Sequence, residues 1–165
     1  RPERMKTKSL ILRPIGVIHT PFKQVEGIPV QPVFAPDTRG TIEVLPEFSA
    51  GLKDLDGFER VWLIYHLHCS TPARLLVKPF RDDREHGVFA TRAPCRPNPL
   101  GLSCVRLLGI RDHTLDIAEV DILDGTPLLE IKPYVPLFDS HPASRAGWFD
   151  EQRVDRKHAD GRFSQ

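Results

Sequence analysis

Eight residues, Val61-Trp62-Leu63-Ile64-Tyr65-His66-Leu67-His68, form the most hydrophobic run of this chain. β-branched and aromatic side chains dominate the run, and such side chains pack well on a pleated sheet. The run ends at Cys69-Ser70-Thr71-Pro72. A short apolar run that ends in this way predicts a central strand, with the rest of a sheet built on either side of it.

Six further segments have the character of strands. Gly40–Leu45 and Thr114–Val120 alternate apolar and polar residues, which is typical of half-buried strands. The other four are short and rich in apolar residues: Leu10–Thr20, Leu75–Pro79, Leu100–Ile110 and Leu128–Tyr134. With turn signals between them, about seven short strands predict an all-β fold, which we expect to be a single closed β-barrel.

The segment Pro46–Phe58 is the exception to this pattern. Phe48, Leu52 and Leu55 recur in it at helical spacing, and Gly57 follows them as a helix terminator. We therefore predict one short helical or 3₁₀ segment that caps the barrel and adds no layer to the core.

The chain is long enough for one domain with a core of its own. Residues 9–138 are expected to form the barrel. Residues 1–8 are polar and basic, and we expect a flexible N-terminal arm there. The polar tail, residues 139–165, is expected to pack on the barrel or on a partner subunit, with residues 153–165 frayed.

Charge and cysteine content limit the function classes. The formal net charge is +1, so the composition as a whole does not mark a nucleic-acid binder, and any basic face must come from local clustering. Cys69, Cys95 and Cys104 have no CxxC spacing, and no signal-peptide pattern accompanies them. These features favour reduced thiols and a cytoplasmic location.

Neither a membrane segment nor a metal site is predicted. No apolar run approaches the roughly 20 residues that a membrane-spanning helix needs. His66 and His68 are spaced to share one face of a strand, but no third ligand accompanies them at a suitable spacing. We therefore expect neither membrane nor metal among the partners.

The loop His86–Ser103 is unusually stiff. Pro94, Pro97 and Pro99 fix the backbone at three positions and favour extended conformations in the residues before them. A stiff loop lowers the entropy cost of holding its arginines toward an anionic ligand. A proline-rich surface turn with solvated arginines is the alternative.

Two other segments have features of a ligand-binding loop. Residues 21–36 contain four prolines and no helical periodicity, and a loop of that length in a compact domain is usually functional or disordered. Asp124-Gly125-Thr126-Pro127 is a turn whose backbone amides and carboxylate suit polar ligand groups. Each of the three segments is therefore a candidate for ligand contact. Because no activated serine or cysteine is evident, an enzyme built this way would position two substrates without a covalent intermediate.

Four motifs carry a resemblance to a known family: Gly87–Arg92, Arg96–Ser103, Asp121–Pro127 and Ile131–Tyr134. In this order, and over residues 15–136, the chain resembles the TsaA-like family. That family includes the S-adenosylmethionine-dependent tRNA N6-methyltransferase that acts on threonylcarbamoyl-adenosine beside the anticodon. The resemblance implies a single-sheeted β-barrel that forms a homodimer and binds S-adenosylmethionine close to the subunit interface.

The resemblance also implies that the stiff loop, the loop of residues 21–36 and the Asp124 turn form the walls of one pocket, and it implies a set of site residues. The cofactor would lie against Pro29, Val30, Gln31, His68, Cys69, Arg92, Leu102, Leu123, Asp124, Gly125 and Thr126. The tRNA would contact the stiff loop at Arg92, Arg96 and Asn98. Arg92 and Arg96 suit RNA phosphate or the ordering of the cofactor loop.

The implied reaction is transfer of a methyl group to an exocyclic N6 by in-line attack, with the nucleoside lifted out of its stack. A carbamoylated nitrogen is a poor nucleophile, so a base is expected, and Asp124, Lys132 and Tyr134 are the candidates. Each has a structural alternative, as a turn former, a solvated strand end and an aromatic at the barrel rim respectively.

Two other functions stay open at this point. A module that binds S-adenosylmethionine or a nucleoside without methyl transfer would use the same pocket. A structural β-domain would bind neither.

Overall fold

The computed structural model describes residues 8–152 and 154–164. Apart from Lys8, the expected N-terminal arm lies outside the described residues. Within these residues there are eight strands: β1 (Gly16–His19), β2 (Arg39–Val44), β3 (Arg60–His66), β4 (Leu76–Val77), β5 (His86–Gly87), β6 (Leu100–Arg111), β7 (Thr114–Ala118) and β8 (Thr126–Pro133). The helical elements are short: the α-helix α1 (Pro136–Asp139) and 3₁₀ segments at Pro32–Phe34, Pro46–Leu52, Leu55–Gly57, Val88–Ala90, Gly147–Glu151 and Gly161–Phe163.

Six of the strands close into one antiparallel barrel in the order β1-β2-β7-β6-β3-β8, with β8 pairing back to β1. The predicted all-β barrel is therefore confirmed. The number of barrel strands is six and not about seven, because β4 pairs only with β5, outside the barrel. β4 is two residues long and Pro79 follows soon after it, so this segment cannot supply a full ladder of backbone hydrogen bonds.

Alternation along the strands places the core inside the barrel. The fully buried side chains there are apolar and mostly β-branched or leucine: Ile18, Ile42, Val44, Val61, Leu63, Val105, Leu115, Ile117 and Leu128. The first strand is shorter than predicted, because Leu10 and Ile11 are 88% and 97% exposed and the ladder begins only after Pro14.

One end of the barrel is closed by the two 3₁₀ segments Pro46–Leu52 and Leu55–Gly57. Leu55 is buried in the core, and Phe48 and Leu52 pack against it. The predicted cap is therefore present, in 3₁₀ conformation. At the opposite end of the barrel, β3 ends and β6 and β8 begin. Loops surround this end.

A C-terminal segment, residues 154–164, crosses that open end. Val30 donates its backbone N–H to the Lys157 carbonyl at 2.8 Å, and Ala159 donates to the Ile28 carbonyl at 2.7 Å. Phe163 is buried against Phe80, with ring centroids 5.2 Å apart. The expected fraying is therefore wrong for residues 154–164, since a polar segment is held by one buried aromatic ring and by backbone pairing that its composition does not reveal.

No helix in residues 8–152 or 154–164 is both long and apolar enough to cross a membrane.

Candidate functional site

A cavity of about 320 Å³ lies at the open end of the barrel. The loop of residues 21–36, the stiff loop and the segment after β7 all contribute to its lining, and Ala159 and Phe163 of the C-terminal segment complete it. The structure thus brings together the three segments that we expected to share a pocket. Its volume lies in the range of about 300–1,000 Å³ that is usual for small-molecule sites.

Nine of the eleven residues expected at the cofactor line this cavity: Pro29, Val30, Gln31, His68, Cys69, Arg92, Leu102, Leu123 and Thr126. Asp124 and Gly125 do not line it. Asp124 accepts a hydrogen bond from the backbone N–H of Thr20 at 2.9 Å and pairs with Lys23 Nζ at 2.6 Å. The Lys23 ammonium lowers the pKa of this carboxyl. Asp124 therefore ties the turn to the end of the first strand.

Two of the three candidate bases lie near the other end of the barrel. Lys132 is in register with Trp62, and the Tyr134 backbone N–H donates to the Arg60 carbonyl at 3.0 Å. At the cavity end of the same ladder, Tyr65 faces Leu128. Four residues of strand separate Lys132 from Leu128, roughly 13 Å at the usual rise per residue. Neither Lys132 nor Tyr134 lines the cavity, so the structure does not bring them to a molecule held there.

A chain of polar side chains that the sequence analysis missed reaches the cavity instead. Ser103 Oγ donates to Asp121 Oδ1 at 2.7 Å, and the Tyr65 hydroxyl lies 2.8 Å from the same Oγ. Ser103 and Tyr65 are buried, while Asp121 and Tyr65 line the cavity. One signal was available, because Ser103 is a polar residue at an inward position of β6, between Gly101 and Val105.

Burial determines whether Asp121 and Tyr65 carry a proton. Removal from water raises the pKa of Asp121 to about 7, although its hydrogen bond from Ser103 and the nearby Arg92 charge act in the opposite direction. Burial also raises the pKa of the Tyr65 hydroxyl, so this group keeps its proton. The cavity therefore contains a carboxyl that gains or loses its proton near neutrality.

Gly101 fixes the place of the Tyr65 ring. A Cβ atom at position 101 would lie 2.1 Å from Tyr65 Cε2. The ring therefore occupies the space that the side chain of any residue other than glycine would need at this position. Because the two residues face each other in the β3–β6 ladder, the ring is held against the backbone and its hydroxyl reaches Ser103.

The arginines of the stiff loop have different environments. Arg96 Nη1 donates to the carbonyls of Val88, Thr91 and Ala93 at 3.2, 2.9 and 3.1 Å, so this side chain holds the loop together. Arg92 is exposed and donates to Gln31 Oε1 at 2.5 Å, with no acidic partner in the described part of the chain. Asn98 is exposed and does not line the cavity. Of the three residues expected at the tRNA, Arg92 is thus the one with an available charge at the cavity.

A second groove, of about 600 Å³, adjoins the cavity and shares Gln31 and Arg92 with it. Aromatic rings line it: Phe80, Phe89, Trp148 and Phe149. Phe89 is 76% exposed. The Trp148 indole N–H donates to the Ala90 carbonyl at 2.7 Å, and its ring stacks on His86 with centroids 4.4 Å apart, so this ring is held in place.

Within residues 8–152 and 154–164, no group of three or more histidine, cysteine, aspartate or glutamate side chains is placed to hold a metal ion.

Comparison with known proteins identifies the fold. The family described as the tRNA-methyltransferase O N-terminal domain matches residues 17–140, which is most of the chain and includes both strands and loops of the cavity. The chain belongs to this family. The resemblance to the TsaA-like family is thereby confirmed.

Individual members of the TrmO N-terminal domain family are similar over most of this chain. A probable S-adenosyl-L-methionine-binding protein of Pyrococcus abyssi is 52% identical over 92% of this chain and 83% of its own length. The tRNA (adenine(37)-N6)-methyltransferase of Escherichia coli is 33% identical over 81% of this chain. The crystal structure of TrmO from Pseudomonas aeruginosa superposes with a TM-score of 0.72 at 40% identity, over 85% of this chain. The chain spans only 61% of the Escherichia coli protein and 62% of the Pseudomonas chain.

Proposed function

We propose that this protein is an S-adenosylmethionine-dependent methyltransferase that methylates N6 of threonylcarbamoyl-adenosine next to the anticodon of tRNA. The observation that carries the proposal is the cavity at the open end of the barrel. Its lining includes nine residues that the family resemblance assigns to the cofactor, together with a carboxyl whose pKa is about 7. The name of the Escherichia coli relative, a tRNA (adenine(37)-N6)-methyltransferase, supports this substrate.

The cavity walls fit S-adenosylmethionine. Val30, Leu102 and Leu123 offer apolar surface to an adenine ring and a methionine chain, and Thr126 and Gln31 offer polar groups. Arg92 suits the methionine carboxylate, because its guanidinium has only a neutral amide as a partner among the described residues. When bound, S-adenosylmethionine supplies an electrophilic methyl group for in-line attack. The residues of the chain hold the two reactants in that geometry.

The aromatic groove is the place proposed for the tRNA. Nucleobases lifted out of an RNA stack bind on aromatic rings, and the exposed face of Phe89 is available for this contact. Since the groove and the cavity share Arg92 and Gln31, a base held in the groove can present its exocyclic nitrogen at the mouth of the cavity. Because tRNA is modified where it is used, a cytoplasmic location is part of this proposal.

A homodimer is also proposed. On the outer face of β3 and β6, half-buried Ile64 lies in register with Leu102, which is 52% exposed although it also lines the cavity. An apolar sheet face at the mouth of a ligand cavity is a reason to expect cover by another subunit. A second copy on this face would complete the cavity wall.

The test is methyl transfer to tRNA. Purified protein is incubated with radiolabelled S-adenosylmethionine and bulk tRNA that contains threonylcarbamoyl-adenosine but lacks its N6-methyl group. We expect label in this tRNA and none in matched tRNA without the threonylcarbamoyl group. Binding of S-adenosylmethionine without methyl incorporation would support the second candidate, a binding module, which the name of the Pyrococcus abyssi relative favours.

A further inference from the structure

The polar chain at the bottom of the cavity has a defined direction. The single hydroxyl proton of Ser103 is donated to Asp121, so the Tyr65 hydroxyl must be the donor to Ser103 Oγ. Both hydroxyls therefore point their protons toward the carboxylate. Asp121 Oδ1 is held by this chain, while Oδ2 accepts no hydrogen bond from another described residue.

Methyl transfer to the proposed substrate needs a proton acceptor in the cavity. The lone pair of a carbamoylated N6 is delocalised into the adjacent carbonyl and the purine ring, so the nitrogen becomes an effective nucleophile only as its N–H proton leaves. Among the acids and bases that line the cavity, Tyr65 keeps its proton, and Arg92 and Arg96 are permanent cations. His68 and Cys69 also line the cavity, but neither is part of a hydrogen-bonded side-chain chain in the described residues.

We propose that Asp121 is the general base that takes the N6 proton, with Ser103 and Tyr65 as positioning residues. This inference rests on the proposed function. The N6–H bond breaks and its proton goes to the Asp121 carboxylate, while the nitrogen lone pair forms the new N–CH₃ bond. The S–CH₃ bond breaks at the same time, its electron pair stays on sulfur, and S-adenosylhomocysteine is the second product.

The charge environment of Asp121 supports this role. The neighbouring groups that face it are the Tyr65 and Ser103 hydroxyls and the Arg92 guanidinium. With a pKa of about 7, this carboxylate is a stronger base than an ordinary one and is still substantially ionised near neutral pH. The methylation rate should rise with pH as Asp121 loses its proton, and level off above neutrality.

Asp121→Asn is the direct test. The variant keeps the shape of the side chain and removes its basicity, so we expect the single-turnover rate of methyl transfer to fall about 100-fold or more. The dissociation constant for S-adenosylmethionine, measured by calorimetry, should not change. Asp116→Asn is the matched control, because Asp116 pairs with Arg111 on the outside of the barrel. A D121N enzyme with near wild-type turnover, or one that loses only cofactor affinity, would overturn the assignment.

Ser103→Ala gives a second readout that a merely structural role would not move. The Ser103 hydrogen bond lowers the pKa of Asp121, so its loss raises that pKa and should shift the midpoint of the pH–rate profile to higher pH. An unchanged midpoint contradicts the proposal even if D121N fails to fold. Failure of the wild-type protein to methylate any tRNA would refute the proposed function itself, whereas active wild type with active D121N refutes only the base.

Discussion

Arg96 and Arg92 are four residues apart in one loop and have opposite roles, because their surroundings differ. Arg96 satisfies three backbone carbonyls within the loop, and Arg92 reaches across to Gln31 at the boundary of the cavity and the groove. Asp124 and Asp121 form a similar pair among the acids. Asp124 is ionised and holds a turn, whereas Asp121 lines the cavity and has a pKa that is raised by desolvation.

We predict that Arg96→Ala destabilises the protein by about 1–3 kcal/mol, since three carbonyls lose a charged donor. Arg92→Ala is the matched variant and should leave the free energy of unfolding within about 0.5 kcal/mol of wild type, as expected for an exposed side chain. R92A should instead weaken binding of S-adenosylmethionine or tRNA. Urea unfolding and binding calorimetry check the two effects, and equal losses of stability would contradict the assignment.

Asp124→Ala should destabilise the fold without reducing affinity for S-adenosylmethionine. The folded state lowers the pKa of this carboxyl below its ordinary 3.8, so its contribution to stability is full above that value and is lost as the pH falls through the lower folded-state pKa. The difference in unfolding free energy between wild type and D124A should therefore disappear in acid. A loss of cofactor affinity in D124A would instead place its carboxylate in the site.

At the scale of elements, the barrel is asymmetric. Its two 3₁₀ segments close one end with apolar side chains, and loops with buried polar groups surround the other. The C-terminal segment belongs to the second end, because it pairs with residues 28–30 and inserts Phe163 beside the stiff loop. The segment thus contributes to the cavity and to stability together.

Phe163→Ala is predicted to reduce both the stability of the fold and the affinity of the cavity for the cofactor. Removal of a buried phenylalanine costs about 3–5 kcal/mol in a closely packed site, and this ring also lines the cavity. Phe138→Ala is the control, because Phe138 is 68% exposed. We expect a clear fall in the urea midpoint and weaker cofactor binding for F163A, and neither change for F138A. A stable F163A protein with unaltered binding would show that the segment does not hold the cavity.

At the scale of the whole molecule, the proposed dimer accounts for the apolar outer face of β3 and β6. Ile64→Asp places a charge in that face and should convert a dimer into a monomer, as measured by light scattering, because burial of an unpaired charge at an interface is unfavourable. Leu45→Asp is the control, since Leu45 is 40% exposed and precedes the 3₁₀ cap at the other end of the barrel. A wild-type monomer at high concentration would refute the dimer.

The strands could be predicted from alternation and β-branched residues because these are local properties, and β3, β6, β7 and β8 lie close to their predicted positions. The family resemblance likewise indicated nine of the residues that line the cavity, since these residues are carried on short contiguous segments. Two strands differed from the prediction. The first is shorter because its ladder begins only after Pro14, and Leu75–Pro79 has a composition that suits a strand but has no neighbour in the barrel.

The amino-acid sequence by itself determined the barrel, its cap and three of the segments that line the cavity, whereas the contribution of the C-terminal segment came only from the structure. Only the tertiary structure showed which acidic side chain lines the cavity. Tyr65, Ser103 and Asp121 are far apart in sequence and meet only when β3 and β6 pair in register and the chain after β7 returns to the open end. The same antiparallel pairing carries Lys132 and Tyr134 away from the cavity along β8. Composition reports which side chains are reactive, whereas barrel closure sets their distances and their exposure to water.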